Sequence, residues 1–163
     1  MPVSGGQPEP AGTSDSAHLE LERERATLLR LHAQERQAHF ATDVAPLLAH
    51  DDDAPLYVRD GTVRRVSRDE QVRFTESFQG ATYHEWDDLE PPIVRVADDG
   101  SLGWVISRVK VRRTKRSPEQ GSDEAVGELR FVYAGIATYE RRDGQWVRTA
   151  NVATFQAPSS AVS

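Results

Sequence analysis

Apolar positions recur at intervals of three, four and seven along the first third of the chain, at Ala26, Leu29, Ala33 and Phe40 and then at Val44, Leu47 and Leu48. That spacing predicts a long helix over 16–41 with one buried stripe, followed by a short second helix. Glu20, Glu22 and Glu24 lie in the early turns of the first, where the helix dipole favours negative charge. Thr42 or Asp43 is placed to cap the second, with Pro46 in its first turn. Asp51-Asp52-Asp53-Ala54-Pro55 breaks the helical pattern, Leu56 to Val58 reads as a short strand, and Asp60-Gly61 as a turn. Ser67 and Glu70 have the spacing of a capping box. They predict a third helix over 68–78 that buries Val72, Phe74 and Phe78 and stops at Gly80.

Beyond Gly80 the period changes to two. Strands are expected at 81–86, at 93–97 after Pro91-Pro92, at 102–115 after the Asp99-Gly100 turn, at 125–141 after a loop, and at 146–155. Asp143-Gly144 is a strong type I′ hairpin signal. A two-residue hairpin loop there places Tyr139 opposite Arg148, Ala137 opposite Ala150, Gly135 opposite Val152 and Tyr133 opposite Thr154. A loop centred near Gln120 places Val111 opposite Leu129, Val109 opposite Phe131 and Ser107 opposite Tyr133. The helix-facing side then carries Val105, Ser107, Val109, Val111, Leu129, Phe131, Tyr133, Ala137, Ala150, Val152 and Thr154. The other side carries Trp104, Ile106, Val132, Ala134, Ile136, Val147, Asn151, Ala153 and Phe155, with Arg108, Lys110, Arg112, Glu128 and Arg130 at its charged end. Helices first and strands last make an α+β fold with the helices on one face of an antiparallel sheet.

Composition narrows this picture mainly by exclusion. The 163 residues carry 20 basic and 26 acidic side chains, a formal charge of −6, and no cysteine. One domain is expected, with flexible Gly-, Ser- and Pro-rich tails over 1–16 and 157–163 flanking a folded region over 17–156. The lack of cysteine excludes disulfides, thiolate metal sites and thiol nucleophiles. No apolar run approaches the ~20 residues of a membrane helix, and no signal-peptide pattern opens the chain, so no membrane association and a cytoplasmic location are expected. The acidic balance argues against nucleic acid. Six cations lie between Arg108 and Arg116, but their alternation reads as a solvated strand end without the interleaved aromatics that stack on bases. Only Lys110 and Lys115 are lysines, which reads as the codon bias of a GC-rich genome.

The order of elements, the Asp99-Gly100-Ser101 turn followed by Trp104, and the run Arg141-Arg142-Asp143-Gly144-Gln145-Trp146 with the strand ending Ala153-Thr154-Phe155 resemble the nuclear-transport-factor-2-like superfamily, and within it the SnoaL-like group of small bacterial proteins. The resemblance spans about residues 17–156. It implies a cone-shaped domain in which helices close a strongly bent antiparallel sheet over a pocket, and commonly a homodimer packed through the sheet. The superfamily includes isomerases, cyclases, dehydratases and non-catalytic association domains, so the fold alone does not settle function.

Candidate chemistry is sparse. Tyr57, Tyr83 or Trp86, Phe131 and Tyr133, with the hydroxyls of Ser107 and Thr154, would line an apolar pocket for a small hydrophobic, oxygenated molecule. Trp104, Ile106, Ile136 and Phe155 would form a dimer interface. No inward carboxylate is expected on the long strands, and Asp87 and Asp88 read as a solvated strand end. His84 is the one candidate general acid or base, since either it or Tyr83 points inward. His32 and His39 share a face of the first helix, but at a spacing of seven they do not make a metal pair, and neither metal nor cofactor is expected. No nucleophile elbow or phosphate-cradling loop is present. Three functions follow, the first two being a small-molecule-binding domain and a cofactor-free isomerase, cyclase or dehydratase using a His or Asp base. A non-enzymatic dimerisation or association module is the third.

Overall fold

The computed structural model describes residues 12–116 and 125–156. The expected tails over 1–11 and 157–163, and most of the loop before the longest strand, lie outside the described residues. Helix α1 (Gly12–Ala41) begins four residues before the expected start at 16, so 12–16 is helical rather than tail. Helix α2 (Ala45–Leu48) has Pro46 in its first turn and contains no buried residue. The cap position is Val44, without a side-chain capping bond, in place of the expected Thr42 or Asp43, although Asp43 Oδ1 accepts from Ala45 N at 3.1 Å. Helix α3 (Arg68–Gln79) opens on the Ser67–Glu70 capping box, with both reciprocal bonds formed. Among its described side chains Phe78 and Gln71 are buried, whereas Val72 and Phe74 are exposed, contrary to the expected stripe.

The strands are β1 (Asp51–Arg59), β2 (Thr62–Arg65), β3 (Ala81–Asp88), β4 (Ile93–Val96), β5 (Leu102–Arg116), β6 (Ala125–Arg142) and β7 (Gln145–Phe155), joined in one sheet of order β2-β1-β7-β6-β5-β3 with β4 also on β5. The acidic run 51–53 starts β1 instead of breaking a helix, and Asp60-Gly61 closes a β1–β2 hairpin. Strand β1 lies parallel to β7, so the sheet is mixed and not wholly antiparallel. The β6–β7 turn has Asp143 at φ 50° and Gly144 at φ 78°, the positive values of a type I′ turn.

The expected register fails at one position. Tyr139 does face Arg148, but Thr149 is an extra residue in β7, so Thr138 faces Ala150, Ala137 faces Asn151, Gly135 faces Ala153 and Tyr133 faces Phe155. A one-residue bulge moves every later side chain to the other face. The two threonine hydroxyls across the irregularity, Thr138 and Thr149, lie 3.3 Å apart. On β5 and β6 the pairs are Val111–Phe131, Val109–Tyr133 and Ser107–Gly135, two residues off the expected pairing, which leaves the faces unchanged.

One side of the sheet is covered by the helices, and the core divides in two. Leu28, Val96, Val105, Tyr139 and Trp146 pack under the first half of α1. Val44, Phe78, Ala81, Tyr83, Trp86, Val109 and Val111 pack under its end and α2. The close approach of α1 depends on Gly103, where a Cβ would meet Leu28 Cδ1 at 2.5 Å. Polar clamps orient the helix: Glu24 accepts from Trp146 Nε1 at 2.7 Å and pairs with Arg141 at 2.8 Å, while Arg36 donates to Trp86 O at 2.8 Å and to Asp87 at 2.7 Å.

Candidate functional site

The side of α1 that meets the sheet is not the apolar stripe expected from spacing. Leu29 and Phe40 are exposed, and the inward residues are Leu28, His32, Glu35, Ala38 and His39. Polar side chains therefore project into the interior from the helix, opposite polar side chains from the sheet.

Arg148 on β7 is the centre of one group. Its Nε donates to Asp51 Oδ1 at 2.6 Å, and Glu35 Oε1 lies 3.5 Å from its Nη1. Asp51 is brought there because the start of β1 is paired directly beside Arg148 before the strand bulges through 52–55. Burial opposes the charge on Arg148, but Glu35 and Asp51 outweigh it and hold the guanidinium protonated. Tyr57 and Tyr139 stand in the same field, both with hydroxyl pKa values raised by burial. The cluster opens onto a recess of about 20 Å3 lined by Leu31, Gln34, Glu35, Pro46, Leu47, His50, Tyr139 and Arg148, room for about one water.

The second group is aromatic. His39 lies 4.8 Å from Phe78, 5.0 Å from Tyr83 and 5.1 Å from Trp86, ring centre to ring centre. Its Nδ1 donates to Glu35 O at 2.7 Å, so the neutral ring keeps its basic lone pair on Nε2. Phe131, Tyr133 and Phe155 form a triangle with sides of 5.6–6.4 Å, and burial pushes the Tyr133 hydroxyl well up. Leu47 touches both groups, since it lines the recess and packs on the aromatic cluster.

Burial lowers the pKa of His39 from 6.5, with Glu35 opposing and Arg148 and Arg113 assisting. The unfolded chain therefore binds more protons than the folded one as pH falls through 6.5 toward the lower folded value. Stability from this group is full above the unfolded pKa and declines through that window. Urea midpoints should fall between pH 7.5 and 5.5, and His39→Gln should flatten the fall; an equal slope in the variant would refute the assignment.

Tyr57, Tyr83, Trp86, Ser107, Phe131 and Tyr133 all stand on the helix-facing side by register, but the bulge exchanges two residues. Thr154 is outward and exposed, donating to Ala134 O at 3.2 Å, and Phe155 is inward against Tyr133 and Phe131. Phe155 is therefore absent from the outer apolar face, where Trp104, Ile106 and Ile136 remain. His84 points outward, with Nε2 3.0 Å from Thr114 Oγ1, so its ring does not enter the interior. Asp88, expected in solvent, lies 2.9 Å from His32 Nε2. The inward carboxylates Asp51, Glu35 and Asp88 went unrecognised, because two sit in segments read as breaks or strand ends and the third on a helix face chosen by apolar spacing. Among the described residues no three His, Asp or Glu side chains are placed to hold a metal ion, and no helix is long and apolar enough to cross a membrane.

No protein-family model and no curated protein matches the chain. Solved structures are. An NTF2-like protein with a cystatin-like fold from Novosphingobium aromaticivorans superposes with a TM-score of 0.64 at 16% identity, covering 92% of this chain and 93% of that one. A ketosteroid isomerase-like protein from Erwinia carotovora atroseptica gives 0.61 at 14% identity, covering 83% and 98%. An NTF2-like protein from Cytophaga hutchinsonii gives 0.60 at 13% identity, covering 81% and 98%. Helices packed on one face of a mixed sheet, together with these superpositions, establish that this chain has the NTF2-like α+β fold.

Proposed function

We propose that this NTF2-like domain binds a small, mostly apolar molecule that carries oxygen, in the interior between α1, α2 and the sheet. The observation that carries the reading is the Arg148–Asp51–Glu35 cluster, which opens onto a recess and adjoins the aromatic group. An interior ion cluster is a poor stabiliser compared with apolar packing, and polar groups converging beside aromatic walls are the usual make-up of a small-molecule site. The recess as it stands admits about one water. A ligand gains room when α2, which has no buried residue, moves Leu47 off the aromatic cluster. The guanidinium and the Tyr133 and Tyr139 hydroxyls then meet its oxygen. Two carboxylates around one guanidinium disfavour an anionic group at this end.

The same arrangement supports cofactor-free proton transfer as a second reading. His39 is kept neutral by burial, with its Nδ1 proton held by Glu35 O, which makes Nε2 the interior base. This replaces His84 in that role. The outer apolar face with Trp104, Ile106 and Ile136 supports a homodimer; light scattering should give twice the chain mass for the parent and the single mass for Trp104→Glu.

Calorimetric titration with 2-naphthol tests the ligand reading. Binding is expected in the parent and about tenfold tighter in Leu47→Ala, where the truncated side chain leaves space. Absence of heat with both proteins at millimolar probe would overturn it.

A further inference from the structure

We infer that the outer side of α1 is a contact surface for a second copy of this chain, with the two α1 helices lying antiparallel. Leu19, Ala26, Leu29, Ala33 and Phe40 are the apolar positions of a repeat alternating three and four residues, which Glu22 and Arg36 complete. All seven are exposed, Leu19 at 58%, Leu29 at 45% and Phe40 at 40%. The sheet of the same chain receives the opposite side of the helix, with Leu28, His32 and Ala38. A three-four repeat held over three heptads is the seam along which one helix packs against another.

The seam is self-complementary. Leu29 stands at its middle, Glu22 and Arg36 lie seven residues to either side, and Leu19 and Phe40 close the two ends. A two-fold axis at Leu29 therefore sets Glu22 beside the partner's Arg36 and Leu19 beside the partner's Phe40, which is the reciprocity an isologous contact needs. Ala26 and Ala33 between them let the helices approach closely. The outward charges divide about the same point. Before Leu29 they are Asp15, Glu20 and Glu22 with Arg23 and Arg25; after it they are Arg30 and Arg36, and the acid there, Glu35, is turned inward to Arg148. A parallel pair would set Glu22 on Glu22 and Arg36 on Arg36, so charge selects the antiparallel one. Within the chain Glu22 pairs with Arg25, and Arg36 with Asp87, yet the Glu22 and Arg36 side chains stay 49% and 45% exposed. The seam runs about 30 Å, and with small residues at its centre it makes a weak contact that fills only at high concentration.

The seam faces away from Trp104, so Trp104→Glu isolates it from the outer sheet face. Sedimentation equilibrium of the full chain with Trp104→Glu should give the single mass when dilute and a rise toward twice that mass in the millimolar range. Adding Leu29→Lys should abolish the rise, and adding Glu22→Arg, which sets arginine against the partner's Arg36, should weaken association about tenfold. Both positions are exposed, so neither change should shift the unfolding midpoint, which separates loss of contact from loss of fold. The chain has no cysteine, so single cysteines report the orientation. A short bis-maleimide should join Leu19→Cys chains to Phe40→Cys chains and leave Leu19→Cys chains unjoined to one another. A single mass at every concentration, an unchanged rise in Leu29→Lys, or joining of Leu19→Cys chains to each other would overturn the proposal.

Discussion

Arg148→Met should destabilise the fold by about 3–5 kcal/mol, because it leaves the Asp51 carboxylate buried without its partner. For a domain of this size that loss lowers the melting temperature by roughly 9–15 °C. The geometry behind the figure is a 2.6 Å charge-assisted bond between two side chains that are 9% and 2% exposed. Removing both charges together, in Arg148→Met with Asp51→Leu, should recover at least half of the loss, because the desolvation penalty disappears with the pair. Urea unfolding of the parent, the two single variants and the double variant closes the cycle. A single-variant loss below about 1 kcal/mol would mean that the pair behaves as a surface bridge, and the interior polar cluster would then lose its special standing. The 2-naphthol titration described above should respond as well, because the guanidinium is also the donor proposed for the ligand's oxygen.

The second large effect is expected at Trp86, where truncation to alanine should cost about 3–5 kcal/mol. Trp86 is 1% exposed and lies at the meeting point of helix and sheet. Its ring is 5.4 Å from His32, 5.1 Å from His39 and 6.5 Å from Tyr133, and its carbonyl accepts from Arg36. The cavity left behind would loosen His32 and His39 of α1, so the pH dependence assigned to His39 should weaken in the same variant. Trp104→Ala on the opposite face removes a ring of the same size that the helices do not cover, and should cost much less in the isolated chain. A comparable loss at the two tryptophans would contradict the assignment of the inner face.

The positions of most elements were legible in the chain. Periodicity located α1, α3 and the long strands to within a few residues, because a helix or strand buried on one face must repeat its apolar residues at its own period. Local chemistry marked the ends: Ser67 and Glu70 form their box and Asp143-Gly144 its turn, since both depend on residues within hydrogen-bond reach along the sequence. Two features escaped this logic. The parallel pairing of β1 with β7 joins segments nearly a hundred residues apart, and nothing in either segment signals a partner that distant. The inner face of α1 was misread because apolar spacing is a proxy for burial that fails where buried residues are polar. His32, Glu35 and His39 are inside because Asp88, Arg148 and an aromatic cage receive them.

The candidate site follows the same division. Residue order alone identified an NTF2-like α+β architecture, the absence of thiol chemistry and a set of aromatic side chains suited to an interior. Which of those side chains meet was decided by the tertiary structure, through a single extra residue at Thr149. The bulge turned Phe155 inward and Thr154 outward, and left Arg148 facing helix-borne Glu35. Strand side chains alternate with a period of two, so one inserted residue reverses a face, and no local pattern along β7 records where the ladder slips.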